Sequence, residues 1–205
     1  MTRFLLIRHG ETDMVGTRLS GRMEGVHLNA TGRAQAEQLP SRLEQVEIGA
    51  VYASPLERAA ETAAPLGRAK GLEVHVSEAL AELDYGEWTG RSFQDLESDA
   101  KWRLFNSYRS GARVPGGESM LEVQARMVRA LETITAAHPD QRVAIVSHGD
   151  PTKSVLLYLL GMPLDAHARI DIDTGSVSAA TVGGWGVKVH FLNDTAHFRT
   201  EPVVT

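Results

Sequence analysis

The segment F-L-L-I-R-H-G-E-T, residues 4–12, decides how the rest of the chain is interpreted. Four apolar residues lead directly into Arg8 and His9, and this pattern predicts a short buried strand. Gly10 follows and lets the chain turn without a Cβ clash. Because ligands of open α/β sheets bind at the carboxyl edge of the strands, Arg8 and His9 are candidates for a binding site there.

A second apolar segment, I-V-S-H-G at residues 145–149, also ends in His-Gly. Neighbouring strands lie about 4.8 Å apart, so pairing of the two segments would place His9 and His148 on either side of one small group. A phosphoryl group fits such a gap, and neutral imidazole has the lone pair that a nucleophile needs. Taken alone, the first segment favours an ordinary strand-end histidine with no catalytic role at His9, and the motifs further along the chain reverse that interpretation.

Phosphoryl transfer requires fixed positive charge and a proton for the leaving group. Arg8 follows the first strand, and Arg58 lies at the start of a helix opened by S-P-L-E, residues 54–57, which has capping-box spacing. Arginine binds phosphate oxygens with two parallel hydrogen bonds. The acidic segment 80–90 supplies three candidate proton donors: Glu82, Asp84 and Glu87.

Strands and helices alternate along most of the chain. Strands are predicted from Phe4 and over 48–53, 73–76, 143–147, 170–172, 176–182 and 187–192. Helices are predicted over 31–45, 54–70, 92–105, 119–138 and 150–161, and 195–205 is expected to be irregular. The alternation predicts an α/β fold, a three-layer αβα arrangement with a mainly parallel, mixed central sheet, in one domain over residues 1–205. Residues 80–118 are expected to form an excursion that covers the active site.

Composition narrows the possible functions. The chain has 205 residues, a hydrophobic fraction of 42% and a net charge of −5, which fits a globular domain and argues against a broad nucleic-acid surface. There is no cysteine, so disulfides, a thiolate nucleophile and cysteine-ligated zinc are excluded. No apolar run approaches the ~20 residues of a membrane helix, and the opening segment is too short for a signal peptide. We therefore expect a cytoplasmic protein that acts on a small molecule, with no nucleic-acid or membrane partner. The oligomeric state is left open.

Five motifs, in order, resemble the histidine phosphatase superfamily, also called phosphoglycerate-mutase-like. They are R-H-G-E-T at 8–12, A-S-P-L-E-R-A-A-E-T-A at 53–63, L-A-E-L-D-Y-G-E-W-T-G at 80–90, P-G-G-E-S at 115–119 and V-S-H-G at 146–149. The resemblance implies a phosphoglycerate-mutase-like fold and a phosphohistidine intermediate. It also implies catalysis without a metal or another cofactor.

The resemblance assigns roles to residues of this chain. His9 matches the phosphorylated nucleophile, and Glu82 matches the acid–base residue. Arg8, Arg58 and His148 match the phosphate pocket. The remaining positions expected on the phosphate or substrate side are Thr12, Arg18, Ser20, Gly21 and Gly149.

Two positions depart from the family pattern. Val15 stands where members commonly have an asparagine whose amide helps to hold phosphate, so either Arg18 replaces that group or phosphate is held more loosely. Asp150 follows the second His-Gly, where many relatives have a small or amide residue. It is interpreted either as a helix N-cap or as an anion that disfavours a second phosphate on the substrate.

Three functions follow from these observations. The first is a metal-independent phosphomonoesterase acting on a small phosphorylated metabolite, and the second is a phosphoglycerate mutase. The resemblance implies that mutases carry a longer insertion between proton donor and second histidine than the compact stretch here, which favours the phosphatase. A non-catalytic phosphate-binding protein is the third, and it is disfavoured because His9 and Glu82 are both present.

Other polar and aromatic residues are interpreted as structural. Trp88 is expected to pack the acidic loop, with a substrate platform as the alternative. Glu118 and Ser119 are expected mainly to start a helix, with substrate contact as the alternative. The cluster Arg103, Arg109 and Arg113 is interpreted as solvated, with contact to an anionic substrate as the alternative. The histidines without a partner motif are treated as structural: His27, His75, His138, His167, His190 and His197.

Overall fold

The computed structural model describes residues 1–198. Within them, the strands are β1 (Thr2–Arg8), β2 (Ala50–Ala53), β3 (Val74–Val76), β4 (Arg142–Ser147), β5 (Val177–Gly183) and β6 (Gly186–Asp194). The α-helices are α1 (Ala30–Arg42), α2 (Glu57–Lys70), α3 (Phe93–Glu97), α4 (Ala100–Ser107), α5 (Met120–Ala137) and α6 (Gly149–Leu159). Short 3-10 turns lie at Glu78–Leu80, Gly86–Trp88 and Leu164–Arg169. Of the segment expected to be irregular, 199–205 lies outside the described residues.

The strands form one sheet in the order β3-β2-β4-β1-β5-β6. β1 pairs in parallel with β4, β4 with β2, and β2 with β3, whereas β5 runs antiparallel to β1 and β6 antiparallel to β5. The predicted mixed, mainly parallel sheet is therefore confirmed. Its two His-Gly strands, β1 and β4, are neighbours at the centre.

Alternate residues of β1 point to opposite faces of the sheet, as the period of a strand requires. Phe4 and Leu6 enter a core shared with α5 and α6, whereas Leu5 and Ile7 enter a second core shared with α1 and α2. Burying each such side chain contributes about 1.5–3 kcal/mol. Because both faces of β1 are covered, residues 4–7 are apolar at every position. Helices lie on both sides of the sheet, as predicted.

The predicted capping box at 54–57 is wrong. Helix α2 begins at Glu57 after Leu56, with no side-chain cap. The hydroxyl of Ser54 instead lies 2.7 Å from Nε2 of His148, across the sheet edge. The second capping box is confirmed, since Ser119 and Glu122 bond each other's backbone N–H at the start of α5.

Other predicted boundaries also need correction. Asp150 does not cap α6, which begins at Gly149 after His148. The predicted helix 92–105 is two helices, because the Asp99 side chain accepts the N–H groups of Lys101 and Trp102 and starts α4. Residues 170–172 form no strand, and the carbonyl of Ile172 accepts a hydrogen bond from Arg8 instead.

Three helix details differ as well. Helix α1 is capped by Asn29, not Thr31, and contains Pro40, while α2 runs past Pro65. A proline inside a helix removes one backbone hydrogen bond, and burial of neighbours such as Leu39 and Leu66 offsets that loss. Among residues 1–198, no helix is both long and apolar enough to cross a membrane.

Candidate active site

The two predicted histidines meet at the carboxyl edge of the sheet. Arg8 pairs with Ser147 in the β1–β4 register, and the His9 N–H donates to the Ser147 carbonyl at 2.9 Å. The imidazole rings of His9 and His148 then lie 5.1 Å apart between centroids, edge to face at 61°. Both rings are almost completely buried. The register of two adjacent strands thus brings these side chains together.

The protonation of His9 follows from its surroundings. Its Nδ1 lies 2.6 Å from the Gly10 carbonyl, which can only accept, so Nδ1 carries the proton and Nε2 keeps its lone pair. Burial lowers the pKa of His9 well below its ordinary value, and the charges of Arg58 and Arg8 lower it further. At neutral pH His9 is therefore a neutral imidazole with Nε2 available to attack an electrophile.

Buried N–H groups without protein partners surround this ring. Arg58 is fully buried and donates Nη2 to the Gly21 carbonyl at 2.6 Å, while its Nε and Nη1 have no partner within residues 1–198. Arg8 donates Nη1 to the Ile172 carbonyl at 2.7 Å, and its Nε is likewise unpaired in the described chain. Buried donors are normally satisfied, so these groups mark a place where an anion binds.

His148 is held by a hydroxyl group rather than by a carboxylate. Its Nε2 lies 2.7 Å from Ser54 Oγ, which also accepts the Leu56 N–H at 3.3 Å. The Nδ1 atom is buried and has no partner in the part of the chain described. Burial lowers the pKa of His148 well below its ordinary value, with Arg58 and His9 adding to the effect. A neutral His148 can present an N–H group from Nδ1 to a bound anion.

Glu82 supplies a buried carboxyl group on the wall of the same cavity. Burial raises its pKa to about 7, the charge of Asp150 adds to the rise, and the Leu83 N–H, Arg58 and Arg8 oppose it. The Leu83 N–H donates to Glu82 Oε1 at 2.8 Å and fixes the side chain. A carboxyl group with this pKa can both donate and accept a proton near neutral pH.

The backbone around Glu82 is clamped by two arginines. The Glu82 carbonyl accepts Arg22 Nε at 2.9 Å and Arg126 Nη2 at 3.1 Å. Glu118 binds both guanidinium groups and also accepts the Asp84 N–H at 3.0 Å. Glu118 thus orders the loop that carries Glu82, which extends its expected role as a helix start. The Asp84 carboxylate accepts the Gly86 N–H, and the Glu87 side chain is exposed. Of the three candidate acids, Glu82 is therefore the one that lines the cavity.

The cavity at this edge has a volume of about 190 Å³. Six predicted residues line it: Arg8, His9, Ser20, Gly21, Glu82 and Gly149. Arg58, His148 and Thr12 are buried and do not line it. The charge of Arg58 nevertheless lowers the pKa of His9, and the His148 ring contacts the His9 ring directly.

Val15 lines the cavity, and its side chain has no polar atom. Arg18, the expected replacement, is not in the lining and donates Nη1 to the Gly90 carbonyl at 3.0 Å. The geometry therefore does not bring Arg18 to the phosphate pocket.

A polar cluster around Asp150 forms another part of the cavity wall. Its carboxylate accepts Tyr85 OH at 2.6 Å and Arg109 Nη1 at 3.0 Å, and Nε2 of His167 lies 2.8 Å away. The Arg109 guanidinium also lies 4.4 Å from the Phe105 ring centroid. The interpretation of Arg109 as solvated is wrong, because this side chain is buried against Asp150. His167, treated as structural, lines the cavity, as do Tyr85 and Lys153.

We expect Asp150→Asn to lower the free energy of unfolding by about 3–5 kcal/mol, because it leaves the buried charge of Arg109 without its counter-ion. Urea unfolding at pH 7 measures the loss. Burial opposes ionisation of Asp150, but Arg109 and His167 hold its pKa well below the usual range. The stabilisation by ionised Asp150 is therefore fully present above about pH 4, and it should vanish as pH falls through the pKa of Asp150 in the folded protein.

The matched control is Glu37→Gln, which breaks the exposed Arg68–Glu37 pair. It should cost less than about 1 kcal/mol. Equal losses in the two variants would contradict the buried role of Asp150.

The chain thus has a mixed β-sheet between two layers of helices, with His9 and His148 in contact at its carboxyl edge. This arrangement is that of the phosphoglycerate-mutase-like class of proteins. Residues 4–195 match the family profile described as "Histidine phosphatase superfamily (branch 1)". The chain therefore belongs to the histidine phosphatase superfamily.

Curated relatives include both phosphatases and mutases. The chain is 29% identical to phosphoserine phosphatase 1 of Hydrogenobacter thermophilus, across 96% of this chain and 94% of that protein. It is 33% identical to the probable phosphoglycerate mutase GpmB of Escherichia fergusonii, across 96% and 95% of the two chains. It is also 32% identical to the bifunctional protein Rv2228c of Mycobacterium tuberculosis across 96% of this chain, but it spans only 55% of the length of that relative.

Solved structures agree with this assignment. Bacillus stearothermophilus YhfR superposes with a TM-score of 0.91 at 30% identity, covering 97% of this chain and 100% of the other. A phosphoserine phosphatase variant from Entamoeba histolytica, crystallised with phosphoserine, gives 0.88 at 25% identity, with the same coverage. The fold and the family are shared with phosphatases.

Proposed function

We propose that the protein is a metal-independent phosphomonoesterase that transfers the phosphoryl group of a small phosphorylated metabolite to His9 and then to water. The observation that carries this proposal is a set of buried N–H groups on Arg8, Arg58 and His148, unpaired within residues 1–198, around a neutral imidazole. The guanidinium groups of Arg8 and Arg58 supply the positive charge that phosphoryl transfer requires, and neutral His148 adds a hydrogen-bond donor. In this proposal the protein itself provides that charge, so no metal ion is needed.

In the first step, Nε2 of His9 attacks phosphorus in line with the ester oxygen. The N–P bond forms, the P–O bond to the metabolite breaks, and Glu82 gives its proton to the departing oxygen. The Nδ1–H bond to the Gly10 carbonyl keeps the ring oriented while positive charge develops on it. A general acid in this position contributes about 10²–10⁴-fold.

In the second step, water attacks the phosphohistidine from the side vacated by the product. The ionised Glu82 accepts a proton from that water, the P–N bond breaks, and its electron pair returns to Nε2. Phosphate leaves, and His9 is again neutral and Glu82 protonated. A carboxyl group with a pKa of about 7 suits both directions of proton transfer.

A phosphoglycerate mutase is the second candidate, and the 33% identity to a probable phosphoglycerate mutase GpmB supports it. A mutase would return the phosphoryl group from His9 to a phosphoglycerate instead of giving it to water. Both activities use the same first step, so the two differ in the fate of the phosphoenzyme.

We expect the protein to release inorganic phosphate from at least one of a panel of small phosphorylated metabolites, at a rate unaffected by a chelator. Phosphate is measured colorimetrically, and isomerisation of 3-phosphoglycerate is followed in parallel. Isomerised phosphoglycerate without net phosphate release would replace the phosphatase proposal with the mutase. Complete loss of turnover on chelation would contradict metal independence.

A further inference from the structure

Lys153 occupies a defined position relative to the phosphate pocket. It follows Gly149 by four residues on α6, so both lie on the same side of that helix, about 5–6 Å apart. Gly149 lies against Arg8, since a Cβ built on it would be 3.6 Å from the guanidinium carbon. Lys153 therefore lies one helical turn beyond this contact, on the wall of the same cavity.

The ammonium group of Lys153 lacks a strong partner. Its side chain is only 16% exposed, and its one ion pair within the described residues is with Asp171 at 3.9 Å, whose own side chain is 86% exposed. No hydrogen bond to the ammonium exists in residues 1–198. Burial lowers the pKa of Lys153, while Asp150 and Asp171 oppose that effect. An incompletely paired, mostly buried cation on a cavity wall is suited to an anionic ligand.

The carboxylate of Asp150, on the same cavity wall, does not act as the counter-ion of Lys153. The oxygens of Asp150 are engaged by Tyr85, Arg109 and His167, so that carboxylate is neutralised mainly by Arg109. The positive charge of Lys153 is consequently not neutralised by Asp150. One ammonium balances the single charge of a carboxylate, whereas it would leave the second charge of a dianionic phosphate unbalanced.

From this geometry we infer that Lys153 is a specificity-determining residue that binds a carboxylate of the substrate, about one helical turn from the phosphoryl group. The inference rests on the proposed function and deepens it by naming the substrate class. That class is a phosphomonoester bearing one carboxylate close to the ester, because Lys153 and the phosphate pocket lie on the wall of the same cavity.

The test compares two pairs of phosphate esters that differ at the carboxylate. The pairs are O-phosphoserine with O-phosphoethanolamine, and 3-phosphoglycerate with glycerol 3-phosphate. For the wild type, kcat/KM should be higher for the carboxylate member of at least one pair. Lys153→Gln should reduce that preference by about 10–100-fold, the value of a charge-assisted hydrogen bond. Lys153→Arg should retain most of the preference, and Lys188→Gln, on the distant strand β6, should retain all of it.

The same four compounds are titrated calorimetrically into His9→Ala, with and without Lys153→Gln. This binding measurement tests Lys153 even if the protein proves to have no phosphatase activity, so failure of the two proposals can be told apart. Absence of a carboxylate preference in the wild type would overturn the inference. So would an equal loss for both members of each pair in Lys153→Gln, because Lys153 would then act on the phosphate itself.

Discussion

Replacing His9 with alanine is expected to lower kcat by about 10⁴–10⁶-fold, the loss observed when a covalent nucleophile is removed. The reason is that Nε2 of His9 has a free lone pair and lies beside Arg8 and Arg58, whose buried Nε atoms have no partner within residues 1–198. Arg8, Arg58 and His148 would still bind phosphate in the variant. Tight phosphate binding without turnover is therefore the expected phenotype.

The same variant should remain folded. The His9 side chain contributes a hydrogen bond to the adjacent Gly10 carbonyl and lies beside two cations, so its loss removes little favourable energy. We expect a change of roughly 2 kcal/mol or less, equivalent to about 4–8 °C in Tm for a chain of this size. Thermal unfolding followed by circular dichroism separates this small effect from the loss of activity.

Phosphoenzyme trapping provides the direct measurement for His9. Wild-type protein mixed with a ³²P-labelled substrate and quenched rapidly should carry an acid-labile label, and His9→Ala should carry none. His27→Ala is the matched control, because His27 is exposed and bound to Glu61 on the surface. Normal turnover by His9→Ala, or a label that persists in it, would rule out the covalent mechanism.

The sequence predicted the central part of this arrangement because local patterns encode it. The uninterrupted apolar residues of β1 and β4 result from burial on both faces of the sheet, and the register of two neighbours then places His9 beside His148. The reasoning that predicted Arg58 as a phosphate-pocket residue was partly incorrect. Its motif matches the family, but Ser54 bonds His148 and does not cap the helix.

The rest of the site depends on contacts that leave no local pattern. Arg109 and Tyr85 reach Asp150 across sequence separations of 41 and 65 residues, and their spacing gives no indication of it. The sequence therefore predicted a helix cap at Asp150, where the structure has a buried ion pair with Arg109. Lys153 is different, because its helical spacing from Gly149 was available in the sequence and would have placed it on the cavity side of α6.

The residue types alone also could not identify Glu82 as the proton donor. The residue types of the acidic segment left Glu82, Asp84 and Glu87 open as proton donors, and only the family resemblance selected the first. The structure gives a physical reason for the choice, since Glu82 is buried beside the cavity while Glu87 is exposed. Burial depends on the clamp formed by Arg22, Arg126 and Glu118, which no short motif describes.

Glu82→Gln is expected to lower kcat on alkyl phosphates by about 10²–10⁴-fold, because an amide cannot protonate the departing oxygen. The size of the loss should depend on the leaving group. p-Nitrophenolate needs no proton to depart, so p-nitrophenyl phosphate should still phosphorylate His9 with less than roughly tenfold slowing. Hydrolysis of the phosphoenzyme also needs Glu82, as a base, and should remain slow. The variant should therefore show a burst of p-nitrophenol followed by slow steady-state turnover, with phosphoenzyme accumulating.

The pH dependence gives an independent test of Glu82. As the proton donor it must be protonated, and its pKa is raised to about 7 by burial and by Asp150. The phosphorylation rate on an alkyl phosphate, measured by rapid quench, should therefore fall as pH rises above about 7, approaching tenfold per pH unit. Glu82→Gln cannot titrate and should lose this limb of the profile, whereas Glu87→Gln, on the exposed face of the same loop, should keep it. Retention of the limb in Glu82→Gln would assign proton donation to another group, even if the overall rate had fallen as expected.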